Sequence, residues 1–253
     1  VETASQDAHS GTGGSIFPNS AWRLLWALGT LKTPDETIRI PRFYENVRPP
    51  TPRDLELLAK LPEVAPEYKQ RYGLKGFLKD LRGGVDLRRE QVFAPTCTVC
   101  GLTSGYQGPG SKTVLPARAS AKVDFRLVPD QTPDEIFQKL RRHLDAEGFG
   151  DVQITYLGGE APGRTDPDDP FLQMVVRTAE PVYGVPMRIT PMVGGSGPNH
   201  AFIHTLGVPV ATAGIGYPGT QAHAPNENVD LELFRKGVRH TARIVAGFAE
   251  LGS

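Results

Sequence analysis

The stretch Gly219–Asp230, GTQAHAPNENVD, places His223 in a polar loop bounded by glycine and proline, just before a helix start. A loop imidazole with a carboxylate nearby has the character of a metal ligand and the group that orients it. One imidazole cannot fix a tetrahedral site, so any further ligands must come from elsewhere. Two other groups have suitable chemistry. His9 sits in DAHSGTGG, whose glycines allow close backbone approach. Arg126 falls on the polar face of an alternating strand, where its guanidinium could grip a carboxylate by two parallel hydrogen bonds. On the residues alone, an ordinary surface arginine is the stronger reading, and His9 is unproven.

The remaining motifs favour structural readings. Cys97 and Cys100 have redox or zinc spacing, but residues three apart on a strand face opposite ways and no second pair exists. Gly105–Thr113, GYQGPGSKT, resembles a phosphate loop but has Ser111 before Lys112 and leads into a strand, not a helix. Gly194–Pro198, GGSGP, lacks the second glycine of a nucleophile elbow, so Ser196 is a poor nucleophile. That backbone is better suited to offering N–H and C=O groups to a ligand. His143, two residues before Asp145, is expected on the solvated side of a helix, and so is His240. His200 and His204 have an i, i+4 clamp spacing with no carboxylate between them.

The elements that must position these groups follow from periodicity. A helix is predicted near Pro18–Leu31, with Trp22, Leu25, Trp26 and Gly29 on one face. Residues 33–95 are rich in proline and charge and read as an insertion with short helices. Thr96–Tyr106 and Ala119–Pro129 read as strands, the second alternating Ala121, Val123, Phe125 and Leu127. The next helix opens with Thr132 as N-cap, Pro133, and Glu135 closing a capping box. It buries Ile136, Leu140 and Leu144 and stops at Gly148. Asp151–Gly158 reads as another strand. The order of elements in 1–158 matches a split βαβ sandwich, with even Val1–Thr3 resembling part of a strand. After the turn-rich Ala161–Pro170, residues 159–253 alternate as α/β: helix Phe171–Tyr183, strand Met187–Met192, helix near His200–Leu206, strand Val208–Gly214 and helix Leu231–Leu251. Phe234, Val238, Thr241, Val245 and Phe248 form one stripe of the last helix.

Composition restricts the function classes. In 253 residues, 28 Lys+Arg offset 28 Asp+Glu, so no field favours nucleic acid or a membrane surface. No apolar run approaches the roughly 18 residues of a membrane span and no charged-then-apolar leader opens the chain, so a cytoplasmic protein is expected.

Taken in order, DAHSGTGG, PT, SGYQGPGSKTVLPARASAKVDFRLVPDQ, GGSGP and AHAPNE closely resemble the zinc-dependent dipeptidase/aminoacylase family, which includes carnosinases, glutamate carboxypeptidase and the desuccinylase of lysine biosynthesis. The resemblance spans the whole chain, and the middle insertion is most similar to the dipeptidase branch. It implies an α/β fold with an α+β lid. The lid is a ferredoxin-like dimerisation domain (1–158, insertion at about 33–95), followed by the C-terminal part of a zinc-hydrolase catalytic domain (159–253). It further implies a homodimer, two zinc ions (cobalt or manganese as substitutes) and a small peptide or N-acyl amino acid substrate with a free carboxylate. By the same resemblance, His223 is a zinc ligand and His9 stabilises the oxyanion in the partner subunit's site. Thr113 and Arg126 bind the substrate carboxylate, while Gly195 and Ser196 shape the pocket floor.

Two family motifs are missing. No strand-end His-x-Asp occurs, since HLD belongs to a helix, and no Glu-Glu pair occurs anywhere to supply the general base and a ligand. The expectation is therefore a C-terminal piece of a dinuclear hydrolase, inactive alone and holding zinc weakly. The alternatives are a non-catalytic dimerisation and ligand-recognition module, and an N-acyl amino acid deacylase.

Overall fold

A computed structural model describes residues 1–217 and 219–251. Packing divides the chain into two units, Val1–Pro49 with Ala65–Pro162, and Pro50–Val64 with Gly163–Ser253. Pro50–Val64, inside the span read as an insertion, thus packs with the second unit.

The first unit begins with β1 (Ala8–His9), the single turn α1 (Ser10–Gly13) and α2 (Ser20–Gly29). In the second unit, α3 (Pro52–Ala59) follows. The first unit resumes with α4 (Ala65–Tyr72), α5 (Gly84–Phe93), β2 (Thr98–Ser104), β3 (Val114–Leu115), β4 (Ala119–Asp124) and α6 (Pro133–Ala146). The second unit ends with α7 (Pro170–Tyr183), a π-helical turn at Ala201–Thr205, and α8 (Leu231–Glu250).

Two antiparallel ladders organise the first unit. β2 pairs with β4, the register shifting between Val99 and Gly101. That shift leaves Cys100 as the extra residue of a bulge. β1 pairs with β3, placing His9 opposite Val114. Val1 also behaves as strand: its amino group donates to the Ala119 carbonyl at 3.0 Å, and its own carbonyl accepts from Ala119 N at 3.0 Å. The core gathers Ala27, Leu31, Ile38, Ile40, Phe43, Cys97, Ile136, Leu144, Phe149 and Val152, with Val123, Phe125 and Leu127 of the alternating segment packed against it. The mixed helices and small antiparallel sheets agree with the α/β fold with an α+β lid.

Helix ends follow their local chemistry, with one exception. Thr132 accepts from Glu135 N as an N-cap, and Gly148 takes φ +81° just past the helix, a conformation that costs glycine little. The Glu135 carboxylate, however, does not turn back to close a capping box. It pairs with Lys139 at 2.5 Å, because Lys139 is only 6% exposed and a buried ammonium must be surrounded by acceptors. Glu45 at 2.7 Å and the Arg42 carbonyl at 2.7 Å complete its shell. Hydrogen bonds from Lys139 and then Arg42 hold the Glu45 carboxyl below its ordinary range. The complete capping box is at Thr51 and Asp54, opening α3.

Burial departs from apolar periodicity in several places. Trp22, Leu25 and Trp26 share a face of α2 as predicted, and that face is exposed; the buried positions are Ser20, Leu24 and Ala27. On α8 the stripe of Phe234, Val238, Val245 and Phe248 is also exposed. Small and polar groups of α8 meet α7 beside one edge of that stripe: a Cβ on Gly247 would stand 3.0 Å from Met174 Sδ, and Phe248 touches Phe171 edge-on with centroids 6.1 Å apart. His240 Nε2 there donates to the Val175 carbonyl at 3.0 Å. Close approach and a buried hydrogen bond chose the packed face, which hydrophobic periodicity does not register. His143, expected in solvent, is buried as well, with Nε2 3.1 Å from the Thr30 carbonyl and 3.0 Å from its hydroxyl. Asp151–Gly158, Met187–Met192 and Val208–Gly214 carry no ladder among the described residues. A strand exists only through a neighbour, and no described segment pairs with them.

Cys97 is buried and Cys100 exposed, both as free thiols. Burial pushes the Cys97 thiol up to about 11, so the attacking thiolate is scarce there. A disulfide reagent is therefore expected to titrate one thiol promptly in the native chain, at Cys100, and the second only on unfolding. Two promptly reacting thiols would contradict the buried placement of Cys97.

Candidate functional site

The first unit brings two of the sequence-predicted residues together. Pairing of β1 with β3 sets the His9 and Thr113 backbones side by side, with Ser10 N donating to the Thr113 carbonyl at 3.0 Å. Their side chains meet: His9 Nε2 lies 3.3 Å from Thr113 Oγ1. The other ring nitrogen, Nδ1, accepts from Gly11 N at 2.9 Å. In a neutral imidazole the nitrogen that accepts carries no proton, so Nε2 is the N–H and Thr113 Oγ1 its acceptor. A hydroxyl that accepts from His9 still has its own proton to donate.

Arg126 projects from the opposite side of the chain to Phe125 and Leu127, as the alternation predicts, and is exposed. Its backbone is tied to Thr96 in both directions: Thr96 N donates to its carbonyl at 2.9 Å, and its N–H donates to Thr96 Oγ1 at 3.2 Å. Nε donates to Asp124 Oδ2 at 3.0 Å. Asp124 and Gly11 are contributors that the sequence reading missed. The only available signal was their spacing, two residues from Arg126 and from His9.

The other predicted residues belong to the second unit. Space beside Gly195 is open, since a Cβ there would meet nothing within 4 Å. Further along the same segment the chain is closely backed: a Cβ on Gly163 would lie 2.8 Å from His200 N and 2.9 Å from the Asn199 carbonyl carbon, an approach that only glycine admits. The rings of His200 and His204 lie 4.3 Å apart, centre to centre.

His223 is exposed and has φ +59°, with Gln221 at +51° and Asn226 at +63°. Three non-glycine residues in the left-handed region within six positions is locally strained backbone. Asn228 holds the loop shut: its N–H donates to the Thr220 carbonyl at 3.0 Å, and Nδ2 donates to the carbonyls of Gly219 at 3.1 Å and Asn226 at 2.9 Å. Asp230 then caps α8 by accepting from Glu232 N and Leu233 N, both at 2.9 Å. The loop thus displays an imidazole on a strained, self-closed turn at a helix start.

Among the described residues no three His, Cys, Asp or Glu side chains come together as metal ligands do. The residues of this chain that come together do not, by themselves, fit a tetrahedral zinc site.

The family model of the peptidase dimerisation domain matches residues 1–152. The chain belongs to the M20 peptidase dimerisation domain family. It is also similar to metallodipeptidases. It is 27% identical over 190 residues to the Beta-Ala-His dipeptidase of Mus musculus, covering 73% of this chain and 38% of that protein. It is 25% identical over 256 residues to the Cys-Gly metallodipeptidase of Saccharomyces cerevisiae, covering 99% of this chain and 53% of that one. Among solved structures, an M20 family metallo-carboxypeptidase from Sulfolobus solfataricus superposes with a TM-score of 0.91 at 32% identity, covering 96% of this chain and 55% of that chain. The chain spans about half the length, or less, of the curated relatives it matches. No helix of the described residues is long and apolar enough to cross a membrane.

Proposed function

We propose that the chain is the lid (1–158) and the C-terminal part of the catalytic domain (159–253) of a metal-dependent hydrolase. The hydrolase cleaves dipeptides or related small amides bearing a free carboxylate. The observation that carries this reading is the His9–Thr113 pair at 3.3 Å, formed within a unit that belongs to a peptidase family. The Nε2–H that here donates to Thr113 Oγ1 is the donor we assign to a developing oxyanion, and the Thr113 hydroxyl proton is a second donor for a carboxylate. We assign Arg126 with Thr113 to the substrate carboxylate and, in the second unit, Gly195 and Ser196 to the pocket floor, where the space beside Gly195 is open. The likeness to the Beta-Ala-His and Cys-Gly dipeptidases supports small dipeptides over larger chains. Zinc is the metal we assign, as two ions with cobalt or manganese able to replace it, and His223 is one ligand. A homodimer forms through the first unit, and a cytoplasmic location is assigned.

His223 alone cannot hold zinc firmly, and the chain has no Glu-Glu pair to supply a general base. Dialysed after zinc loading, this chain is expected to retain less than stoichiometric metal and to leave simple dipeptides intact. Firmly held zinc together with hydrolysis would overturn the assignment of missing ligands. The substrate class is decided by assaying the longer natural protein against dipeptides and N-acyl amino acids. Preference for the N-acyl compounds would favour a deacylase, and inertness towards both a recognition module.

A further inference from the structure

Gly11 has no side-chain chemistry, yet it controls the candidate oxyanion donor. His9 is the N-cap of α1, and its Nδ1 takes the Gly11 N–H at 2.9 Å where Ser, Thr, Asp or Asn ordinarily stands. This is a demanding fit. A Cβ on Gly11 would lie 3.0 Å from both His9 Cε1 and Nδ1, so any larger residue pushes the ring away from the amide it accepts from. The backbone of His9 cannot follow such a push freely, because it is paired opposite Val114. The ring is thus held at one nitrogen by Gly11, leaving the other facing Thr113 Oγ1 at 3.3 Å.

We infer that Gly11 is a positioning residue whose amide holds His9 in the Nε2–H tautomer, so that the ring offers a donor rather than an acceptor to an oxygen that reaches it. The alternative tautomer would present a lone pair on Nε2, which repels an oxyanion. In the held tautomer Thr113 Oγ1 accepts from Nε2, and its hydroxyl proton is turned outward, where a carboxylate can take it. The functional meaning rests on the reading of His9 as oxyanion donor; the arrangement of amide and ring is testable without it.

Nitrogen NMR of the uniformly labelled full chain, at a pH where the imidazoles are neutral, reads this directly. The expected spectrum gives His9 a pyridine-like Nδ1 and a pyrrole-like Nε2, with a scalar coupling between Gly11 N and His9 Nδ1 across the hydrogen bond. In Gly11→Ala that coupling should be lost and the Nδ1–H tautomer should become populated. His143, in the same unit and bonded to Thr30, should keep its signals and so report an intact fold. Thr113→Val is the second variant and should leave the Gly11 coupling in place. A pyridine-like Nε2 or an absent coupling in the wild-type chain overturns the inference, even if Gly11→Ala does not fold. Unchanged His9 signals in a folded Gly11→Ala overturn it too. Coupling present in a longer protein that hydrolyses nothing would count against the role of His9, not against this geometry.

Discussion

Replacing Trp22 and Trp26 together with glutamate is expected to turn a dimer into a monomer at micromolar concentration while leaving the fold of the first unit intact. The two rings stack with centroids 5.9 Å apart and are 55% and 58% exposed, with Leu25 beside them at 43%. They border a groove of about 490 Å³ also lined by Phe17, Pro18, Arg23 and Asp151. Arg23 grips Asp151 through Nε at 3.0 Å as well as through Nη2, giving the groove a fixed polar wall. Two large aromatic rings left in water on a helix whose other side is packed are costly unless something covers them. The family description of this unit makes a second copy the occupant we assign. Tryptophan anchors at interfaces are worth about 2 kcal/mol or more each. Counting one such loss in each protomer gives about 4 kcal/mol, or roughly a thousandfold weaker association. Because the rings contribute little to their own unit's core, its thermal midpoint should move little. Sedimentation of wild type and variant decides it; a wild-type monomer, or a variant that dimerises equally well, removes this face as the interface.

Arg164→Met is expected to destabilise the second unit by about 3 kcal/mol, the lower end for stripping the partner from a buried charge. Asp54 is fully buried. Its Oδ2 accepts from Thr51 N at 2.8 Å and from Thr51 Oγ1 at 2.9 Å, and its Oδ1 pairs with Arg164, whose side chain is 16% exposed. Methionine fills the space but leaves a buried carboxylate with only the helix cap at Thr51 as partner. A surface pair ties the same segments, Arg53 to Asp168 at 2.8 Å with side chains 39% and 53% exposed. Screening by solvent weakens such an exposed pair, so Arg53→Ala should cost far less. Burial, not the number of ion pairs, decides which loss matters. Adding Asp54→Asn to Arg164→Met should recover part of the loss, because a neutral amide can still accept from Thr51 while leaving no buried charge. Urea unfolding followed at second-unit resonances keeps the two units separate, since a two-unit chain need not unfold in one step. Equal effects of Arg164→Met and Arg53→Ala would sink this account.

Local order and family were legible without coordinates. Thr132 and Gly148 bracket α6 because side-chain capping and glycine's freedom at φ +81° act over a few residues. Arg126 stands opposite Phe125 and Leu127 because alternation is a property of any extended chain. The ordered motifs around His9, Thr113, Arg126, Ser196 and His223 resemble the zinc-dependent dipeptidase/aminoacylase family, and the match of residues 1–152 to the peptidase dimerisation domain agrees, because a succession of short motifs is carried by the chain itself. Tertiary structure alone decided which faces pack. His143 and His240 look like surface residues in sequence, but a carbonyl facing each makes burial affordable. Most of the apolar stripe of α8 stays exposed while Gly247, His240 and the edge of Phe248 meet α7, because the packed face follows from how near two backbones can come. Glu135 left its capping box for Lys139, whose need for counter-charges arises only once that ammonium is buried. Partners distant in sequence set burial and hydrogen bonding, and no window of neighbouring residues contains them.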